Sequence, residues 1–170
     1  VTGRFSNVAA RIQASVGNLE VYATTPESRK LNIADGWYFP MANARYGFST
    51  YVMDFAQGGT HPVGGMSAGF VRRVIITLRT NGEVSLYQGN AAALAANALE
   101  PIPPSYAAEV PIASILLRQK SSAVPGDIDN VYNTDITDWR PFLTSKALDA
   151  SMDVSLRTIS AKGVYQSDGY

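Results

Sequence analysis

The sequence predicts an all-β protein, a β-sandwich or jelly-roll-like antiparallel module with at most one or two short helices. Three observations lead to this fold class. Two β-branched runs flank the pair Asn81-Gly82, which is a strong hairpin signal. Aromatic-rich runs at residues 36–40 and 46–55 favour strands. Glycine and proline fall in clusters, and such clusters mark turns between short strands.

The first predicted element is a hairpin near the start of the chain. Apolar residues alternate on both sides of Gly17-Asn18, at Ile12, Ala14, Val16, Leu19 and Val21. A two-residue turn at Gly17 and Asn18 places all five of them on one face. An amphipathic helix through Val8, Ile12 and Val16 is the alternative interpretation.

The aromatic strands are followed by a segment that the sequence marks as a loop. Residues 57–69 are rich in glycine and include Pro62, which predicts a long exposed loop. Long loops in compact domains are often functional, so this loop is a plausible contact surface. Further along, the alanine-rich residues 90–99 predict a short helix that Asn90 caps and Pro101 stops.

The register of the central hairpin follows from its face pattern. A three-residue loop at residues 80–82 pairs Leu78 with Val84 and Ile76 with Leu86. The same loop places Arg79 opposite Glu83 and Thr77 opposite Ser85 on the other face. A two-residue turn would mix apolar and polar side chains on both faces, since a slip of one residue moves every side chain to the wrong face. The three-residue loop requires Gly82 in the left-handed conformation.

The remaining elements lie in the second half of the chain. Residues 110–117 predict a strand with Pro111 near its start, and residues 135–141 close the core. We expect residues 1–143 to form a single β domain. Residues 144–170 form a C-terminal extension with a possible short helix and a last strand at 154–159, and we expect this extension to contact a partner.

The composition excludes several classes of function. The chain has 14 basic and 14 acidic residues without a basic run, which argues against a nucleic-acid groove. It has no cysteine, so disulfides, thiol nucleophiles and cysteine-based metal sites are excluded. No apolar run approaches the roughly 20 residues of a membrane span. We therefore expect neither nucleic acid nor a membrane as a partner.

The motifs that carry chemistry are weak in this sequence. The chain has one histidine, His61, and it lies in the glycine-rich loop without the strand-turn-helix setting of a nucleophile elbow. The acidic residues at 127, 129, 135 and 138 lack the spacing of a calcium loop, and turn or cap roles suit them better. We expect no catalytic residue, no metal and no cofactor. A pair of carboxylates for glycoside hydrolysis stays open, because their separation is set in space.

Residues 70–143 carry a resemblance to a known class of protein. An alternating hairpin leads through Pro101-Ile102 and two further prolines to the strand at 110–117, and the segment ends in Ile136-Thr137-Asp138-Trp139-Arg140-Pro141. This order resembles a β-module of tailed-phage tail-fibre, baseplate and other virion surface proteins, in which an I-x-D-x-R-P ending follows such a strand. Trp139 stands where a small polar residue is more usual.

The resemblance implies a structural component of a tailed-phage virion, located on the virion surface and assembled in the host cytoplasm. It implies a fibre or tail attachment protein, or a capsid decoration (cement) protein, that acts by binding other copies of itself, as a homotrimer, or capsid and tail proteins. A carbohydrate-binding module or a glycan depolymerase that contacts a host-surface glycan is the alternative. The aromatic residues near Trp37 suit either interface packing or sugar stacking.

Two sets of candidate residues follow from the sequence. The partner or interface candidates are Trp37, Tyr38, His61, Asp138, Trp139, Arg140, Tyr165 and Tyr170. The structural turn candidates are Gly17, Asn18, Asn81 and Gly82.

Overall fold

A computed structural model of the chain describes residues 16–41, 44–102 and 109–140. These residues form ten strands, β1 Val16–Asn18, β2 Val21–Ala23, β3 Lys30–Ile33, β4 Gly36–Met41, β5 Ala44–Phe48, β6 Tyr51–Asp54, β7 Val71–Arg79, β8 Val84–Ala92, β9 Glu109–Arg118 and β10 Ile136–Asp138. The strands form three antiparallel sheets with the orders β1-β4-β5, β2-β3-β6 and β10-β9-β7-β8.

The expectation of an all-β, sandwich-like fold is confirmed. No helix of 7 residues or more is found in the described ranges. The short helical segments Thr80–Gly82, Ala95–Asn97 and Asn133–Asp135 are single 3-10 turns. None of the described helical segments has the length and apolar character that a membrane crossing requires.

The four-stranded sheet is built around β7. Val74, Ile76 and Leu78 on one face of β7 are fully buried, and so is Thr77 on the other face. A strand that is buried on both faces shows a nearly continuous apolar run, and the VRRVIITLR sequence of β7 has this character. β7 therefore lies at the centre of the core, between β8 and β9.

The register of the β7–β8 hairpin agrees with the prediction. Leu78 pairs with Val84, Ile76 with Leu86 and Thr77 with Ser85. The Arg79 amide donates to the Glu83 carbonyl at 2.8 Å, which places these two residues opposite each other. The turn itself is closed by Asn81 and Gly82, with φ of 70° and 81°.

Strand β9 contains Pro111 although it pairs on both sides. Ile76 pairs with Ala113, whereas the next residue, Thr77, pairs with Pro111, so Ile112 is an extra residue in β9. A bulge of this kind is one of the few places where a central strand accepts proline, because the ladder bonds are interrupted there.

The predicted hairpin at Gly17-Asn18 is wrong. Strands β1 and β2 lie in different sheets, and Gly17 is inside β1. The positive φ values fall one residue later, at Asn18 and Leu19, so the chain turns out of one sheet and into the next there. The alternative helix does not extend to Val16, which begins a strand, and Ile12 and Ala14 lie outside the described residues.

The aromatic run at 46–55 forms two strands instead of one. β5 pairs with β4, whereas β6 pairs with β3, so the chain passes between sheets at residues 49–50. In the β2-β3-β6 sheet, Val21, Ile33 and Tyr51 lie side by side on one face, as do Ala23, Leu31 and Met53. This face is largely buried, and it supplies part of the core.

Two further predictions have different outcomes. The loop at 57–69 is present, but Val63 and Met66 are buried and hold it against the core.

The predicted helix at 90–99 is wrong, because β8 continues to Ala92 and only the single turn Ala95–Asn97 follows. Asn90 lies in β8, and its side chain bonds to the backbone of Asn97 and Leu99. The predicted extension at 144–170 lies outside the described residues.

Candidate interaction surfaces

His61 joins the loop after β6 to the strand β8. Its Nε2 donates to the carbonyl oxygen of Val84 at 3.0 Å, and its ring packs edge-on against Tyr51. The His61 amide donates to the carbonyl of Asp54 at 2.9 Å. His61 is half-buried, and its Nδ1 has no hydrogen-bond partner in the described part of the chain. The predicted surface histidine therefore connects a loop to a sheet edge.

A groove of about 340 Å³ runs beside this connection. It is lined by loop residues 60–62, by Arg79 and by the five consecutive β8 residues 84–88. At one end His61 bonds to Val84. At the other end, the side chain of Gln88 accepts hydrogen bonds from the Gly64 amide at 3.1 Å and from Arg72 at 2.6 Å. The loop is thus held to β8 at two points, with the groove beside the strand between them.

A buried carboxylate, Glu109, lies close to this groove. Thr77 and Tyr87 each donate a hydroxyl hydrogen bond of 2.6 Å to its two oxygens, and the Arg79 guanidinium lies 3.5 Å from it. A buried carboxylate requires such partners, because an unpaired buried charge is very costly. Burial raises the pKa of Tyr87, and the hydrogen bond to Glu109 raises it further.

Glu109 was not among the candidates that the sequence suggested. The available signal was a charged residue directly before the apolar strand at 110–117. The β7–β9 register places Glu109 opposite Arg79, whereas the hairpin pattern suggested Glu83 alone as a partner of Arg79. The structure shows that Arg79 lies near both carboxylates, at 3.7 Å from Glu83.

The segment that follows β8 carries three large apolar side chains that are exposed. Leu94, Leu99 and Ile102 are 64%, 67% and 81% exposed. Residues 97–99 of the segment are held in place, since Asn90 bonds to the backbone at both 97 and 99 and Arg73 donates to the Ala98 carbonyl at 2.9 Å. We call these three exposed side chains the apolar segment surface. A fixed and exposed apolar surface is typical of a protein contact site.

Trp139 is connected to the same segment through hydrogen bonds. Its indole Nε1 donates to the Ser114 hydroxyl at 3.3 Å, and Ser114 donates to the Glu100 carboxylate. Ser114 is buried, and Trp139 is half-buried. The structure thus places one predicted interface residue, Trp139, two hydrogen bonds away from the segment that carries the apolar segment surface.

The aromatic candidates Trp37 and Tyr38 have opposite environments. Tyr38 is fully buried, stacks on Tyr46 and donates its hydroxyl to the Arg79 carbonyl at 2.6 Å. It is a core residue, and its assignment as a surface contact is corrected, because no part of its side chain is exposed. Trp37 is half-buried, packs edge-on against Phe39, and lies within 5.4 Å of the Arg45 guanidinium.

The other candidate residues have the following places. Asp138 is exposed at the end of β10, opposite Ala113 of β9, and Arg140 is half-buried at the end of the described residues. Tyr165 and Tyr170 lie outside the described residues.

Two of the acidic residues at 127–138, Asp127 and Asp135, form ion pairs within the chain. Asp135 is buried, accepts a hydrogen bond from the Tyr132 amide and pairs with Arg118 at 2.7 Å. This bond raises the pKa of the Arg118 guanidinium. Asp127 bonds to Ser122 and lies 3.8 Å from Lys120. Within the described ranges, no three acidic or histidine side chains cluster as metal ligands.

Comparison of the chain with protein-family models, with curated proteins and with solved structures found no match. The function of the chain must therefore be inferred from the surfaces described above and from the resemblance carried by residues 70–143.

Proposed function

We propose that this chain is a structural component of a tailed-phage virion that acts by subunit–subunit binding, as a fibre or tail attachment protein or as a capsid decoration protein. The observation that carries the proposal is the apolar segment surface at Leu94, Leu99 and Ile102. Large apolar side chains that are held in place on a surface favour association, since each gains free energy when a partner covers it.

The extent of the resemblance supports the same interpretation. Residues 70–143 include all four strands of the β10-β9-β7-β8 sheet, from Val71 to Asp138. The segment that resembles virion surface proteins therefore corresponds to a complete sheet of this chain. The apolar segment surface and Trp139 both belong to that segment.

The proposal is tested by mass measurement in solution. We expect the chain to form a homo-oligomer, a trimer by the resemblance, or to bind purified capsids or tails. Replacing Leu99→Ser and Ile102→Ser together removes two large apolar contacts of about 1.5–3 kcal/mol each. Assembly should weaken by roughly 100-fold or more. Static light scattering over a dilution series, with and without purified capsids or tails, measures this change.

The matched control is Val124→Ser. Val124 is 61% exposed but lies in the turn between β9 and β10, away from the apolar segment in sequence. We expect this variant to assemble like the wild type. A wild-type chain that stays monomeric and binds neither capsids nor tails would contradict the proposal, and so would equal assembly of the double variant.

A carbohydrate-binding role is the alternative, and one observation favours it. Trp37 and Phe39 lie on the face of β4 opposite the buried Tyr38, with Arg45 beside the indole ring. Aromatic rings next to a hydrogen-bond donor suit sugar stacking. Under this alternative, host-surface oligosaccharides shift the Trp37 indole signal in NMR spectra, and release of smaller glycans identifies a depolymerase. A Trp37→Ala variant that retains all glycan binding would exclude this site.

A further inference from the structure

The strand β8 is an edge of the four-stranded sheet that the described residues form, and the register shows which of its backbone groups face outward. Arg79 and Glu83 form a hydrogen-bonded pair. In an antiparallel ladder such pairs alternate with non-bonded pairs, so residues 85 and 87 bond to β7. The backbone groups of Val84, Leu86 and Gln88 therefore point away from β7. The bond from His61 to the Val84 carbonyl confirms this direction independently.

Leu86 has unpaired backbone groups at the centre of the part of this edge that lines the groove. Within the described part of the chain, no group bonds to its outward N–H or C=O. The groove of about 340 Å³ follows residues 84–88, and Leu86 is the middle one of these. Unpaired groups on a sheet edge are a template for another extended chain.

The groove restricts the shape of its occupant. The loop lies alongside β8 and is bonded to it through His61 and through Gln88, so it obstructs the approach of a second sheet. A single extended segment is much narrower. Five strand residues span about 17 Å, so an extended segment of about five residues can run along residues 84–88 of β8.

The charges of the groove also restrict the occupant. Arg79 is the positively charged side chain that lines the groove. It already pairs with two carboxylates, those of Glu83 at 3.7 Å and Glu109 at 3.5 Å. The described lining of the groove therefore presents no unpaired cation that would favour an acidic ligand. Ser85 and Tyr87 offer polar contacts on one side of the strand, and Val84 and Leu86 offer apolar contacts on the other.

We propose that this groove binds an uncharged extended peptide segment of a partner protein, with alternating apolar and small polar residues, which adds a strand to β8 at Leu86. The Leu86 N–H donates to a carbonyl of the segment, and the Leu86 C=O accepts from one of its amides. The groove shares no lining residue with the apolar segment surface, and the inference does not depend on the proposed function.

The test uses the full chain labelled with ¹⁵N and the probe peptide acetyl-Ser-Val-Ser-Val-Ser-amide. Without peptide, the Leu86 amide should exchange with solvent faster than the amides of Ser85 and Tyr87, which bond to β7. Addition of peptide should shift the Leu86 amide resonance in a saturable way. Its hydrogen exchange should slow about fivefold when about 80% of the sites are occupied, because exchange then occurs from the free protein.

The control peptide has the same sequence with every backbone nitrogen methylated, so that it cannot donate to the Leu86 carbonyl. We expect no saturable shift with this control. Three results would overturn the proposal. These are strong protection of Leu86 before peptide is added, no response of Leu86 at millimolar probe, and equal binding of the methylated peptide, which would mean that no peptide amide bonds to the Leu86 carbonyl.

Discussion

At the scale of single residues, Gly17 determines how Trp37 packs on the first sheet. A Cβ atom at Gly17 would lie 2.1 Å from the Trp37 indole nitrogen, a distance that no real Cβ contact reaches. The space left by the missing side chain is therefore filled by the indole ring. The aromatic pair of Trp37 and Phe39 on β4 thus depends on a glycine in the neighbouring strand β1.

We predict that Gly17→Ala destabilises the protein by about 1–3 kcal/mol, because the added methyl group must displace the indole. Gly47→Ala is the matched control. Gly47 pairs with Trp37, but a Cβ atom added at Gly47 would meet nothing within 4 Å, so this substitution should change stability by about 0.5 kcal/mol or less. Urea unfolding measures both. Equal stability of the two variants would show that Trp37 moves away without cost.

The contact between Tyr87 and Glu109 predicts a dependence of stability on pH. Burial, with the hydrogen bond to Glu109, raises the pKa of Tyr87 above its ordinary value of 10.0. The folded state then holds the Tyr87 proton more tightly than the unfolded state. Its contribution to stability is complete below about pH 10 and is lost as the pH rises through the folded pKa.

We predict that Tyr87→Phe costs about 1–3 kcal/mol at pH 7, because it removes a hydrogen bond to a charged acceptor. Above about pH 10 the difference between wild type and variant should shrink, since phenylalanine does not titrate. Burial also raises the pKa of Tyr38, but that effect is common to both proteins. Urea unfolding at several pH values gives the difference, with Tyr22→Phe, at an exposed position, as control. A difference that grows above pH 10 would contradict the assignment.

At the scale of elements, the β7–β8 hairpin depends on the conformation of its loop. Gly82 has a φ of 81°, and a Cβ atom added there would meet nothing within 4 Å. Because a side chain at this position has no neighbour to displace, the cost of a substitution arises from backbone strain alone.

We predict that Gly82→Ala lowers stability by about 1–2 kcal/mol, the cost of a left-handed conformation for a residue with a Cβ. Asn81→Gly should be close to neutral, because Asn81 already has a φ of 70° and glycine accepts that conformation readily. Thermal unfolding compares the two variants. If Asn81→Gly lost stability and Gly82→Ala did not, the hydrogen bond from the Glu83 amide to the Asn81 side chain, at 3.3 Å, would matter more than backbone strain in this loop.

The same hairpin shows what the sequence could predict. Its register was defined by two apolar pairs on one face and by Arg79 opposite Glu83 on the other, all within 11 residues from Ile76 to Leu86. The Gly17 hairpin was wrong although Leu19 and Val21 are buried as expected. The alternation of apolar and polar residues shows which side chains of a strand face the core, but it does not show which other strand pairs with it.

The contacts of the candidate sites could not be predicted from the sequence. The bond between Thr77 and Glu109 joins residues 32 positions apart, and the β7–β9 register that brings them together contains a bulge at Ile112. The bond between His61 and Val84 depends on where a 16-residue loop, residues 55–70, returns to the sheet. Long-range pairing of this kind is set by packing of the whole core, and local patterns do not encode it.

At the scale of the whole molecule, the charge balance indicates whether copies of this chain associate through ion pairs or through apolar contacts. It carries 14 basic and 14 acidic residues and no net charge. Several of the described charges are already matched within the chain, as for Asp54 with Arg29 and Lys30, at 3.8 Å and 3.9 Å. The apolar segment surface, in contrast, is left exposed by the described residues. Association of copies should therefore follow apolar burial and not charge.

We predict accordingly that the proposed assembly is insensitive to salt. Raising sodium chloride from about 0.05 M to about 0.5 M shortens the Debye length from about 14 Å to about 4 Å, which screens exposed charges but leaves apolar burial intact. The dissociation constant from light scattering should change by less than about threefold, because no charged pair needs to form. Weakening by tenfold or more would show that ion pairs between copies drive the contact. In that case Leu99 and Ile102 would not be its centre, and Asp138, the exposed charged residue of β10, would be the next residue to substitute.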